Sequence, residues 1–176
     1  RYLDLIINSE VREVFEKRTK IIDIVRDFLK KKEFLEVETP NLQTIYGGAS
    51  AKPFTTHLNA LDIDLFLSIS PELYLKRLIV GGFDKVFTIS KNFRNEGIDA
   101  FHNPEFTMME YYIAYHDFEY HIKFTEELFN ELRKKLKLKP VVEYRGNKIN
   151  LKTPFKKITF REAILKEAKI DINKAD

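Results

Sequence analysis

Over residues 9–32 the apolar side chains Val11, Val14, Phe15, Ile21, Ile22, Val25, Phe28 and Leu29 recur at intervals of three and four. That spacing predicts a long amphipathic helix with one buried stripe. FLEVETP at 34–40 follows as a short β-type run, ended by a proline that disfavours helix at the residue before it. The turn-rich YGGASAKP at 46–53 leads into two predicted strands, 54–58 and 65–69. Ser70-Pro71-Glu72 then reads as an N-cap serine, a proline at the first helical position and an acid in the first turn, opening a helix to about Val80 that Gly81-Gly82 ends. Strands at 86–90 and 105–114 flank a polar loop around 95–103 and are expected to pair antiparallel. Asp117 is placed to cap a helix whose apolar side carries Phe118, Ile122, Phe124, Leu128, Phe129, Leu132 and Leu136. Short strands at 141–144 and 148–151 around Arg145-Gly146-Asn147 read as a hairpin, and Thr159-Phe160-Arg161-Glu162 has the form of a capping box. Strand and helix do not alternate strictly, so the fold class is α+β: an antiparallel β-sheet flanked by helices.

Composition narrows this picture. A chain of 176 residues with 44% hydrophobic side chains suits one core with at most a short appendage, and argues against intrinsic disorder. No run approaches the ~18 apolar residues of a membrane helix, and no secretory pattern is visible. The absence of cysteine removes disulfides, thiolate zinc sites and cysteine nucleophiles, and leaves a cytoplasmic location as the default. The net charge of +3 mixes basic with acidic residues and is no signature of nucleic-acid binding by itself. The chain begins Arg1-Tyr2-Leu3 without an initiator Met, as expected of a piece of a longer polypeptide.

The densest polar cluster is FRNEG at 93–97 with HNPEFTMMEYY at 102–112. Arg94 offers a planar, permanently charged fork for phosphate or carboxylate oxygens, or else a surface ion pair. Glu96 and His102 fit either a site or a solvated loop, and Phe106 either a stacking platform or the core. Glu110 and Tyr112 lie two apart, so on a strand they share one face. Carboxylate and phenol there suit an ammonium group or an ordinary solvent-facing side. Gly47-Gly48 lacks the lysine and hydroxyl of a P-loop and reads as a tight turn. His116 and His121, five apart, do not match a helical zinc pair and read as structural. The residues describe a polar site for anions and a cation, without naming a reaction.

The cluster resembles motif 2 of the class II aminoacyl-tRNA synthetases. With FLEVETP (similar to motif 1), YGGASAKPFTTH at 46–57 and PELYLKRLIVGGF at 71–83, the run from Arg1 to roughly Leu136 is similar in order and spacing to the lysyl branch of subclass IIb. The resemblance implies a six- or seven-stranded antiparallel catalytic sheet and a homodimer formed through motif 1. It implies activation of lysine by ATP to lysyl-adenylate, then transfer of lysine to tRNA(Lys). On that template Arg94 is the catalytic residue, binding the α-phosphate and the lysine carboxylate. Glu96, His102, Asn103 and Phe106 serve ATP, with Phe106 stacking on adenine and Glu96 meeting its amino group. Gly48 and Glu72 receive the α-ammonium of lysine, and Glu110 and Tyr112 the ε-ammonium. The family's glycine-rich motif 3, the acidic residues that bind Mg²⁺ and the anticodon-binding β-barrel are missing from these residues. Residues 1–176 thus read as part of a catalytic domain, with no metal ligands of its own and little or no aminoacylation activity alone. Two other functions compete: a paralogous lysine-type ligase that modifies elongation factor P, and a non-catalytic synthetase-like binding module. Aspartyl and asparaginyl enzymes fit less well, because their pockets need a cation where Glu110 stands.

Overall fold

A computed structural model describes residues 2–174 of the chain. They form helices α1 (Tyr2–Ile7), α2 (Ser9–Lys31), α3 (Glu72–Val80), α4 (Phe118–Lys135) and α5 (Phe160–Ala168). The strands are β1 (Leu35–Glu36), β2 (Leu42–Gln43), β3 (Thr55–Leu58), β4 (Ile63–Leu67), β5 (Lys85–Phe93), β6 (Glu105–Ile113), β7 (Val141–Tyr144) and β8 (Asn147–Asn150). The chain divides into two compact units, Val25–Phe118 and the residues on either side of that segment.

The Val25–Phe118 unit holds the residues of the polar cluster. Its longest strands, β5 and β6, pair antiparallel over nine residues, from Lys85↔Ile113 to Phe93↔Glu105. β1 adds to β5 in parallel, through Leu35↔Val86 and Glu36↔Phe87. A second sheet has the order β2-β4-β3, both pairs antiparallel. The resemblance implied six or seven strands in one antiparallel sheet; among the described residues this unit carries two sheets of three, one with a parallel edge. The parallel edge arises because β1 leaves α2 along β5 and is only two residues long, ending where Val37 N–H bonds to the Phe87 carbonyl. The core joins α2 to the sheet: Phe28, Leu29, Phe34, Val86 and Phe87 are all buried, as are Leu65, Ile69 and Leu75. Phe34 also meets Tyr111 edge-on, ring centroids 5.5 Å apart.

Three expectations shift. The stripe on α2 is buried only toward its C-terminal end, at Ile24, Phe28 and Leu29, whereas Val14 and Phe15 are exposed. The strand expected at 65–69 lies at Ile63–Leu67, because its register is set by Leu58↔Ile63 through Thr55↔Phe66, with Asp62 at φ 52° turning the chain between them. β5 extends past Ser90 to Phe93, as Lys91, Asn92 and Phe93 find partners in Thr107, Phe106 and Glu105 despite their weak apolar pattern. α1 and β2 were not foreseen; each is too short for periodicity to show.

The flanking unit is built on α4. Phe155 packs edge-on against Phe129, and the side chains of Glu126 and Asn130 bond Phe155 N–H and Thr153 Oγ1. The β7–β8 hairpin turns on Arg145 and Gly146, both at positive φ, as a two-residue loop matched to strand twist requires. Thr159 and Glu162 form the expected capping box of α5. Arg161 grips Asp171 with two bonds of 2.7 Å and holds its carboxyl down at about pKa 2.

Candidate active site

Phe106, Met108, Glu110 and Tyr112 alternate along β6 and project from one face of the sheet. Opposite them on β5 stand Asn92, Ser90, Thr88 and Val86. Phe106 and Glu110 are four residues apart, roughly 14 Å along a strand. One rigid row thus presents an aromatic ring at one end and a carboxylate with a phenol at the other.

At the acidic end each oxygen of Glu110 is held. Ser70 Oγ donates to Oε1 at 2.8 Å, and the Tyr112 hydroxyl donates to Oε2 at 3.4 Å. Burial, the nearby charges of Glu110 and Glu72 and the bond to Glu110 together push the Tyr112 phenol well above its ordinary range. Tyr112 is therefore a donor, never an anion, at neutral pH. Glu72 opens α3 beside them. Its N–H bonds Ser70 Oγ at 3.1 Å, and its carboxylate pairs with Lys76 one turn along the helix at 2.5 Å. The N-cap of α3 is Pro71, whose carbonyl takes the Leu75 N–H, and not Ser70 as the sequence suggested; Ser70 stands one residue earlier, and its oxygen takes the Glu72 N–H.

Gly48 completes this end. It sits at φ 87°, and a Cβ there would lie 2.7 Å from Glu72 Cβ and 2.9 Å from Ser70 Oγ. The glycine pair is thus more than the tight turn the sequence suggested: Gly48 is required by close approach to the start of α3. Tyr46, just before it, anchors the loop by packing its ring on Phe66, centroids 4.8 Å apart.

The other end centres on Arg94. Its guanidinium lies over the Phe106 ring, 5.2 Å from the centroid, a cation–π contact. Its Nε is buried and has no hydrogen-bond partner among the described residues. A buried donor without an acceptor is costly, and an arriving phosphate or carboxylate oxygen would satisfy it. Arg94, Glu96, Gly97, Phe101, His102, Asn103 and Phe106 line a cavity of about 250 Å³. Backbone bonds fix the chain beside it: Arg94 N–H to the Pro104 carbonyl and Asn95 N–H to the Lys52 carbonyl, both 2.8 Å. Glu96 Oε1 accepts the Lys52 N–H at 3.3 Å. In the loop beyond, Asp99 takes the N–H groups of Phe101 and His102 on one oxygen and the His102 ring on the other. The Phe101 N–H and then the His102 ring hold the Asp99 carboxyl below the usual carboxylate range.

All the site residues expected from the sequence therefore fall in the Val25–Phe118 unit, in two groups: Gly48, Glu72, Glu110 and Tyr112 at one end, and Arg94, Glu96, His102, Asn103 and Phe106 at the other. Sequence reasoning missed three participants. Ser70 was read only as a cap, Asp99 was not singled out, and Lys76 could have been found from its four-residue spacing to Glu72. His116, read as structural, has its Nδ1 2.7 Å from the Ala114 carbonyl.

Comparison with known proteins bears on this arrangement. The family model of the tRNA synthetases class II (D, K and N) matches residues 1–176. The lysine–tRNA ligase of Methanoculleus marisnigri is 54% identical over 171 residues, 97% of this chain and 34% of that protein. Those of Pseudomonas syringae pv. syringae and Clostridium tetani are 56% and 53% identical over 94% and 98% of this chain, covering 33% and 34% of their own lengths. The chain thus spans about a third of the length of the curated relatives it matches. With the family model matching along its whole length, the chain belongs to the class II tRNA synthetases of the D, K and N group.

Proposed function

We propose that these residues form part of the catalytic site of a lysine–tRNA ligase, binding lysine and ATP so that lysyl-adenylate forms and lysine then passes to tRNA(Lys). The observation that carries the reading is the acidic end of the β6 row. Glu110 is held by both oxygens with no cation paired to it among the described residues, beside a phenol that stays protonated. Such a pocket suits the far ammonium of lysine and would repel the carboxylate of aspartate. Glu72 and the backbone at Gly48 are disposed to receive the α-ammonium, with Lys76 yielding its place on Glu72 or sharing it.

Arg94 then takes the two anions that must meet. The lysine carboxylate oxygen bonds to the α-phosphorus of ATP as the bond from that phosphorus to the bridging oxygen breaks, and pyrophosphate leaves with the electron pair. Arg94 stabilises the added charge on the crowded phosphorus, its free Nε supplying one donor. Adenine stacks on Phe106 with its amino group toward Glu96, and His102 and Asn103 face the phosphates. In the second step a ribose hydroxyl of the tRNA 3′ end attacks the lysyl carbonyl and AMP leaves.

Mg²⁺ would neutralise phosphate charge in such a reaction. Among the described residues no group of three His, Asp or Glu side chains is placed to hold a metal ion, so no step here runs through it. The same reading expects a homodimer through the β1 segment and a cytoplasmic location.

Amino-acid-dependent ATP–pyrophosphate exchange tests the proposal, run on the full-length protein that carries these residues with lysine, β-lysine, aspartate and asparagine, and on the 176-residue chain beside it. Exchange with lysine in the full-length protein, and little in the shorter chain, is the expected result. Preference for β-lysine would move the assignment to the elongation factor P ligases, and no exchange at all would move it to a binding module.

A further inference from the structure

We infer that Ser70 sets the distance between the two ammonium receptors of the site, and so acts as a positioning residue for selection by side-chain length. The inference rests on the lysine reading above. Ser70 is 2% exposed, and its hydroxyl is shared between the two ends of the amino-acid pocket. Its oxygen accepts the Glu72 N–H, at the start of the helix that offers the α-ammonium receptor, and its proton goes to Glu110 Oε1, the ε-ammonium receptor.

A serine hydroxyl has one proton and two lone pairs. Taking the Glu72 N–H on a lone pair leaves the proton free to point at the carboxylate, so both bonds form at once. The backbone beneath Ser70 is fixed as well. The Ser68 hydroxyl lies 3.2 Å from the Ser70 carbonyl and 3.1 Å from Asn92 Oδ1, with Ser68 and Asn92 both buried on β4's exit and on β5. Phe93 N–H bonds the Ser68 carbonyl at 2.8 Å, tying this corner to the sheet that carries Glu110. Gly48 closes the space on the far side of the hydroxyl.

Glu110 by contrast is a flexible side chain, and its other hydrogen bond, to Tyr112, is long at 3.4 Å. Without the Ser70 hydroxyl its carboxylate is free to swing along the sheet face, and the span between the two receptors loses its fixed value. Lysine then forfeits a preformed site, while a shorter diamine such as ornithine loses less.

The test measures exchange kinetics with lysine and with ornithine in the full-length protein, for the unaltered enzyme, Ser70→Ala, Glu110→Gln and the double variant. Ser70→Ala should raise the lysine KM roughly tenfold, the scale of one hydrogen bond to a charged group. It should leave the ATP KM and kcat within about twofold and narrow the preference for lysine over ornithine. In the Glu110→Gln background the same substitution should change the lysine KM by less than about twofold, since the bond it removes is no longer to a carboxylate. An unchanged lysine KM in Ser70→Ala overturns the inference. So does a parallel loss for lysine and ATP with a lowered unfolding temperature, or an equal loss in both backgrounds, each of which marks a merely structural serine. If the unaltered protein shows no lysine-dependent exchange, the lysine reading fails and this inference with it.

Discussion

The two ends of the β6 row are built on opposite plans. At Glu110 and Tyr112 the polar groups are already engaged with one another: the carboxylate has a donor on each oxygen, the phenol is held protonated, and Gly48, Ser70 and Glu72 meet around them. At Arg94 a buried donor is left wanting. Its Nε has no acceptor among the described residues, its charge rests on the Phe106 ring, and the loop beyond, with His102 exposed, is shaped chiefly by Asp99. The difference follows the ligands proposed for each end. A compact ammonium is recognised by a preformed cage, because an unpaired carboxylate rejects every wrong guest. A triphosphate brings its own acceptors in number, and a cationic donor over an aromatic ring needs only to be exposed to them.

Substitutions should break the two ends in different ways. The largest effect is expected from Arg94→Ala, which removes the donor for charge arising during reaction: adenylate formation should fall about a thousandfold in kcat, with a smaller change in the lysine KM, as measured by single-turnover kinetics. Glu110→Gln should reverse that signature, raising the lysine KM roughly a hundredfold while the ATP KM stays near its starting value. Gly48→Ala sharpens the claim that the acidic end depends on close packing. A Cβ at φ 87°, 2.7 Å from Glu72 Cβ, should cost about 2 kcal/mol in unfolding free energy and weaken lysine without affecting ATP.

The smallest effect is the titration of Tyr112. Its folded pKa is raised above the ordinary value of 10.0, first by burial and then by Glu110 and Glu72. The protonated phenol is thus favoured in the folded state, and its contribution to stability is complete below pH 10 and lost as pH rises beyond it. Tyr112→Phe should therefore leave the tyrosinate absorbance that develops near pH 10 in the folded protein unchanged and remove only absorbance that develops at higher pH.

Much of this contrast was legible in the sequence. The β5–β6 pair, the shared face of Glu110 and Tyr112 and the Thr159 capping box all follow from rules of spacing that act within a few residues. The roles at the Arg94 end came from the resemblance, since an arginine in a loop has no periodicity to betray it. What stayed hidden is long-range. Ser70 lies forty residues from Glu110, and no local rule joins a serine at a helix start to a strand carboxylate. Gly48 read as a turn because a glycine's need for space shows only when its neighbour, here the start of α3, is in place. The exposed half of the α2 stripe failed for a related reason: periodicity says that a face is apolar, not what meets it.

The central claim is that the held carboxylate of Glu110 reads the far ammonium of lysine. Its most direct test is pyrophosphate exchange by the full-length protein with lysine against norleucine, which keeps the chain length and lacks the ammonium. The account expects kcat/KM for lysine to exceed that for norleucine by about 10⁴. Norleucine accepted within about tenfold of lysine, the discrimination an apolar pocket gives, would contradict it.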